Sequence, residues 1–336
     1  PNEDVSRENL VIVESIEVLE DGGTVRIGYG AAKRLSFRDR DGSLVTVQLT
    51  AGNADVTFNG VLLAREEDRA GRVFVAGENL SLADIDMNYT NYTGRLSINV
   101  RGGDGLASVD NIRGNESLRA IDAHKVDLRG DIVIDGSLAR LRLHDVAESH
   151  EVSIGVSEFA GGGLSVEMND VTDLAFTSSM HVRSMKVRSW TDSDDEDDFF
   201  TAPGLERIFV REGSLPANID IGNAGLGKVD IRRGDLVGSL STSGAVSMIK
   251  LGQTRDPNSG VRVGGGIAPD AWIEITGMDE EGVSLGRLLL DGDFLGEMTT
   301  AGDVVAILLR KANLGGYISI AGSLDRLNVR GDIVQG

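Results

Sequence analysis

The feature that most constrains this chain is an aliphatic beat that recurs about every twenty residues. Written as Φ-x-x-Φ-x-Φ, where Φ is apolar, it places Leu138, Leu141 and Leu143 in "SLARLRL". It returns as Leu205, Ile208, Val210; as Leu226, Val229, Ile231; and as Val246, Ile249, Leu251. Further copies are Leu285, Leu288, Leu290; Val304, Ile307, Leu309; and Leu324, Leu327, Val329, while Leu118 with Ile121 opens the series in weaker form. First members are 20 residues apart from Leu118 to Leu138, 21 from Leu205 to Leu226, 20 to Val246, 19 from Leu285 to Val304 and 20 to Leu324. The 39-residue step from Val246 to Leu285 reads as two units.

A fixed period of this size is the signature of a stacked repeat. Helical repeats would sustain an apolar stripe at spacings of three and four. Here the units hold short alternating segments instead, such as "RLRLHDV", "VDIRR", "YISIAG" and "EVSIGV", broken by Gly, Asn and Asp. Alternation specifies strands. Two or three short strands in about twenty residues is one turn of a parallel β-helix, whose coils stack ~4.8 Å apart. The expected fold is therefore all-β, a right-handed parallel β-helix of about ten coils and about 50 Å, its hand following from crossover chirality. One coil cannot bury its own Leu, Ile and Val; stacked coils align them into ladders. Corner glycines are expected to supply the dihedral freedom of tight turns.

Composition agrees with this and removes several functions. There are 44 Gly among 336 residues but only 5 Pro, and aromatics are 4 %, as a narrow aliphatic lumen requires. A net charge of −20 opposes nucleic acid and anionic membranes, and no apolar run approaches the ~20 residues of a membrane helix. With no cysteine, disulfides, thiolate metal sites and cysteine nucleophiles are excluded. The opening "PNEDVSREN" carries neither Met nor a basic-then-apolar leader, which fits a removed signal or a trimmed chain. Sequons at Asn79, Asn88, Asn91 and Asn115 permit glycosylation, with chance matches in a polar β-rich chain as the alternative.

The tripeptide Arg-Gly-Asp occurs at Arg129-Gly130-Asp131, Arg233-Gly234-Asp235 and Arg330-Gly331-Asp332. Each follows a Φ-x-Φ strand, and the copies lie 104 and 97 residues apart, close to five units each. The reading is strand end, corner glycine and turn aspartate, a product of the repeat. An integrin-type signal would need a protruding loop.

Residues 1–95 form a β-rich N-terminal region of less regular spacing, a cap or small sandwich, with hairpin signals at Asp41-Gly42 and Asn59-Gly60. Residues 96–336 form the parallel β-helix, with loop inserts at 188–203 and 252–282. The first insert carries the one candidate metal site: Asp192, Asp194, Asp195, Asp197 and Asp198, with Glu196 among them. Such a run offers the hard oxygen ligands of Ca²⁺. No glycine-punctuated ligand spacing accompanies it, so a solvated loop is the competing reading, and Phe199 and Phe200 are expected to tuck that loop onto the rod. Asp39 and Asp41 form a short D-x-D-G without the Glu that closes a calcium loop, so a hairpin turn is expected there.

Catalysis on a β-helix needs carboxylates ~5 to 9.5 Å apart, or Ca²⁺ with a basic residue, and nothing in the sequence selects a pair. His124, His144, His150 and His181 show no triad spacing, and "VGGGIAP" and "AGGGLS" lack the Lys-Ser/Thr of a phosphate loop. No catalytic residue and no bound cofactor are expected, Ca²⁺ being the only ion with a candidate site.

The segments "RDRDGSLVTVQLT", "KVDLRGDIVIDGSLARLRLHDV" and "GSLDRLNVRGDIV" resemble the large repetitive extracellular proteins of bacteria, of planctomycete type. In those, D-x-D-G-D-x-V-T-V and L-x-G-D-[IL]-x-[IV]-x-G-S-L recur; here Ser43 stands where the last acid of the first motif belongs. The resemblance implies an adhesin-like or matrix component at the surface of a bacterial cell. The functional expectation is a secreted structural or adhesive component that assembles end to end into filaments or matrix. Its partners would be copies of itself, other surface proteins or glycans, with no nucleic acid and no membrane insertion. The alternative is a polysaccharide-binding or polysaccharide-degrading β-helix.

Overall fold

The computed structural model describes residues 23–68, 70–147, 150–156, 162–194, 196–255 and 260–334. They form an all-β solenoid of about 11 turns, with coils of about 21 residues stacked in parallel. There is no helix among the described residues.

Each coil has three sides. In one, Leu205–Val210 lies in one ladder, Leu215 bridges in another, and Asn218–Ile221 lies in a third, before Leu226–Ile231 returns above Leu205–Val210. We call the ladder containing Asn218–Ile221 the first sheet, that of Leu205–Val210 the second and that of Leu215 the third. Inward positions of the second sheet run Leu96, Ile121, Leu141, Val166, Met185, Ile208, Val229, Ile249, Leu288, Ile307 and Leu327, each in register with the next. The first ten are at most 1 % exposed, so the beat read from the sequence is one column of a dry core. Leu138, Leu226 and Leu324 belong to the neighbouring column: Leu138 and Leu226 are buried and Leu324 packs against the core.

The first sheet carries a parallel column, Ile112, Ile132, Val152, Phe176, Phe200, Ile219, Leu240, Ile273, Met298 and Ile318. The third sheet narrows to single bridges, from Leu215 through Leu236, Ile267, Phe294 and Leu314 to Ile333.

The 39-residue step is one coil, not two. Val246 pairs with Leu285 and Leu251 with Leu290 in adjacent rungs. The surplus leaves the coil as an antiparallel pair, Thr254–Arg255 with Arg262–Val263, after which Ile267 and Trp272–Ile275 resume the third and first sheets. Loop closure grows only with the logarithm of length, so one long excursion costs little and leaves the register intact. Two rungs that the Φ-x-x-Φ-x-Φ search passed over, at Val166 and Met185, fill the interval before Leu205.

At the start of the array, antiparallel strands cover the first rung. Arg72–Asn88 and Arg95–Arg101 pair in parallel with the coil above them. On the other edge they pair antiparallel with Asn53–Glu67 and Leu44–Leu49, so the first coil has no bare edge. Asp41-Gly42 turns the hairpin between Arg34–Arg38 and Leu44–Leu49 as expected. Asn59-Gly60 does not turn: it sits within Asn53–Glu67 at a register shift, with Gly60 at φ 94°. A bulge, like a hairpin turn, selects a residue that tolerates positive φ, so the dipeptide does not distinguish them.

The three Arg-Gly-Asp copies are not equivalent. Asp235 and Asp332 precede the third-sheet residues Leu236 and Ile333, whereas Asp131 precedes Ile132 of the first sheet. Their glycines are also required for a different reason from the one expected. A Cβ on Gly130, Gly234 or Gly331 would stand 2.0–2.3 Å from a carbonyl oxygen of the previous coil, at Asp110, Gly213 and Ala312. None of the three has a positive φ, so close stacking of corners selects them rather than dihedral freedom.

Candidate functional site

The position just before each third-sheet residue forms a polar spine. Asp127 accepts the Asp145 N–H at 3.4 Å, and Asp145 accepts that of Asp170 at 3.1 Å. Farther along, the Asp235 N–H donates to Ser214 Oγ at 3.0 Å and Asp235 Oδ1 accepts the Gly266 N–H at 2.7 Å. Asp293 accepts from Asn313 at 2.7 Å, and Asn313 from Asp332 at 2.9 Å. Side-chain oxygens here close the backbone bonds that a one-bridge sheet leaves open, each contributing about 1.5–3 kcal/mol where the acceptor is ionised. The Asp235 carboxylate of the second Arg-Gly-Asp copy and the Asp332 N–H of the third belong to this system. Asp131 Oδ1 does the same work at the other corner, accepting the Glu151 N–H at 3.0 Å.

The spine also explains the compact trio Asp127, His144 and Asp145, whose ligand-type atoms lie within 4.8 Å of one another. His144 Nδ1 is 2.8 Å from Asp127 Oδ1 and 3.4 Å from Asp145 Oδ1. Burial pushes the Asp145 carboxyl above its ordinary value, against the opposing pull of His144. Spacing in sequence did not reveal this trio, because Asp127 and His144 meet only when one coil lies on the next.

The acidic insert divides. Asp192 and Asp194 gather with Asp173, a residue outside the run, with carboxylate oxygens within 4.8 Å. Asp173 is already engaged: Ser193 donates its N–H to Oδ1 and its hydroxyl to Oδ2, both at 2.6 Å. Asp198 is buried and accepts the Trp190 indole N–H at 2.7 Å. Burial raises its pKa to about 6, although the Trp190 bond opposes the shift. Asp197 is exposed, and Asp195 lies outside the described residues. Of the described aspartates of the run, only Asp192 and Asp194 gather with Asp173. Phe200 is buried and stacked on Phe176, while Phe199 faces outward at 40 % exposure.

Asp39 and Asp41 are brought together. The Ser43 N–H donates to Asp39 Oδ1 at 2.8 Å and Asp41 Oδ1 at 2.9 Å, and the Asp104 N–H reaches Asp41 Oδ2 at 2.6 Å. Burial raises the Asp39 pKa to about 7, helped by the hydrogen bond between the two carboxyls, and the same bond holds Asp41 well below the usual range. The two carboxyls titrate as a pair, while Ser43 Oγ donating to the Gly102 carbonyl and Asp41 accepting the Asp104 N–H tie the hairpin to that loop.

The outer face of the second sheet has the opposite charge from the protein as a whole. Its first outward column, read rung by rung, is Arg95, Ala120, Arg140, Ser165, Ser184, Arg207, Lys228, Met248, Arg287, Ala306 and Arg326. It contains six cations and no carboxylate, in a chain with 53 acids and 33 bases. At one end of the column, a groove of about 510 Å³ is lined by Arg95, Arg119, Arg140 and Arg183 over small residues including Ala120, Ala139, Gly163 and Ser165. Arg95 pairs with Asp122. Arg119, Arg140 and Arg183 have no ion-pair partner among the described residues. A second hollow, of about 490 Å³, is lined by Tyr92, the chain neighbour of Thr93 in the groove, and by Asn91, Asn115, Glu116 and Asp135. Sequence reading missed this face, since its cations are 21 to 67 residues apart and align only through the register.

Fold and surface together define a β-solenoid with an aliphatic core, a polar spine along one corner and a basic strip along one sheet. No family model, curated protein or solved structure matches the chain.

Proposed function

We propose that the chain is a structural or adhesive component of a bacterial cell surface or matrix, a rod that acts through its outer faces and by association of rod with rod. The observation that carries the reading is the regular stacking of about 11 parallel coils on one aliphatic column, from Leu96 to Ile307, which builds a stiff rod with long, repetitive faces. Coils of one cross-section match one another, so association between copies through strand edges is the contact this architecture favours. Leu327 and Ile333, 48 % and 70 % exposed in the last described coil, are where such a contact is probed. The extracellular setting is supported by the resemblance of the repeat segments to secreted bacterial proteins and by a cysteine-free, strongly acidic composition.

Light scattering and electron microscopy over a concentration series test the reading. End-to-end species that grow with concentration and disappear in Leu327→Lys/Ile333→Lys are the expected result. Monodisperse monomers throughout would overturn it, and so would release of reducing sugar from a glycan, which would make the chain an enzyme.

A further inference from the structure

We propose that the outer face of the second sheet binds a linear anionic polysaccharide, anchored in the groove of Arg95, Arg119, Arg140 and Arg183. The first argument is charge. A net charge of −20 predicts carboxylates on any exposed face, yet the outward column through Arg140 and Arg287 has none. The adjoining column of the same face holds Asp122, Glu167 and Asp230, which pair with Arg95, Arg142, Arg207 and Lys228, and leaves Arg140, Arg287 and Arg326 without an acid partner among the described residues. A strip with an excess of cations on an acidic protein attracts polyanions there rather than elsewhere.

The second argument is chemistry. Guanidinium groups present paired donors that match carboxylate or sulfate oxygens. Arg119, Arg140 and Arg183 keep those donors free of acids among the described residues. Arg95, held by Asp122, is fixed in place beside them. The floor is built from Ala120, Ala139 and Gly163, and that lack of side-chain bulk opens a trough between the arginines. A neighbouring hollow holds the Tyr92 ring, 60 % exposed, and the amides of Asn91 and Asn115, together with Glu116 and Asp135, so it suits an uncharged edge of the sugar while the anionic groups face the arginines. An aromatic face with a polar rim suits a pyranose, which is apolar on its faces and hydroxylated at its edge.

The third argument is period. The cations of the column stand one to three rungs apart, at multiples of ~4.8 Å. A pyranose unit in an extended chain advances by a similar length, so a regular anionic glycan can meet several rungs in phase. Nucleic acid fits less well: the groove lining holds no aromatic ring for base stacking, the nearby Tyr92 ring lying in the neighbouring hollow, and the protein is acidic overall.

Affinity electrophoresis and calorimetry with oligogalacturonate (carboxylate), dextran sulfate (sulfate), neutral dextran and oligothymidylate test the proposal. One or both anionic glycans bind and neutral dextran does not. Arg119→Ala and Arg140→Ala each weaken binding about tenfold, as expected for loss of one charge-assisted contact. Arg26→Ala, remote in the antiparallel part, leaves affinity unchanged. Tyr92→Ala weakens glycan binding but not the binding of inorganic polyphosphate. Because the substituted arginines are exposed, unchanged melting curves will show that folding is intact. Failure to bind either anionic glycan overturns the proposal, as does equal affinity for oligothymidylate or indifference to both arginine variants. The rod reading is tested separately by light scattering, so either can fail alone.

Discussion

Phe176 and Phe200 stack one above the other in adjacent coils, ring centroids 4.9 Å apart and planes 7° from parallel. The spacing is that of the coils themselves, so the stack is a rung of the ladder made with aromatic rings. Phe200→Ala leaves a cavity that neighbouring coils, pinned by their own registers, cannot close. A loss of about 3–5 kcal/mol is expected in urea unfolding, against less than about 0.5 kcal/mol for the outward Phe199→Ala. Equal effects would contradict the assignment of inward and outward faces.

At the corner of the second Arg-Gly-Asp copy, the glycine and the aspartate have separable duties. Gly234→Ala places a methyl 2.0 Å from the Gly213 carbonyl oxygen and must push two coils apart, costing about 3 kcal/mol or more. Asp235→Ala removes the acceptor for the Gly266 N–H and costs about 1–3 kcal/mol. Asp235→Asn keeps the oxygen and retains most of that stability. Denaturation midpoints of the three variants check the order.

The Asp39–Asp41 pair makes stability depend on pH from both sides. Asp39 has a folded pKa of about 7, raised, so its contribution is complete at low pH and declines as pH rises through 7. Asp41 is lowered, so its contribution is present above the ordinary carboxylate range and is lost as pH falls below it. Asp39→Asn supplies a permanent donor to Asp41. It should raise the melting temperature above pH 8 by about 2 °C, with the gain shrinking as pH falls from 7 towards 4 and vanishing below the ordinary carboxylate range, measured by calorimetry. A uniform shift at all pH values would exclude a shared proton.

Asp198 reports on itself through Trp190. Its pKa of about 6 lies above the ordinary value, so its folded-state stabilisation is complete at low pH and falls as pH rises through 6. Ionisation beside the indole should appear as a change in tryptophan fluorescence with a midpoint near 6. Asp198→Asn should abolish that transition; its persistence would assign it to another group.

Removing divalent ions separates the two readings of the acidic insert. If Asp192 and Asp194 act with Asp173 on Ca²⁺, chelation lowers the melting midpoint and added Ca²⁺ restores it, because an ion bound only by the folded state stabilises it. A solvated loop anchored by Ser193 on Asp173 gives the same midpoint with and without chelator.

The sequence by itself determined the architecture. Residues such as Leu141, Val229 and Ile307 meet the same column in every coil, so the same physical demand recurs at each turn and leaves a period in the text. Tertiary structure decided everything that depends on which rung lies beside which. Val246 meets Leu285 because loop length scarcely affects register, and no count of residues reveals whether a gap holds one coil or two. Met185 replaces the usual Leu or Ile because a flexible thioether fills the same space, which hid a rung from an aliphatic pattern. The spine bond from Gly266 to Asp235 and the basic strip through Arg140, Arg207 and Arg287 are likewise invisible along the chain. Their members interact or align across coils, and only the stacking of strands at a fixed spacing brings such distant residues onto one line.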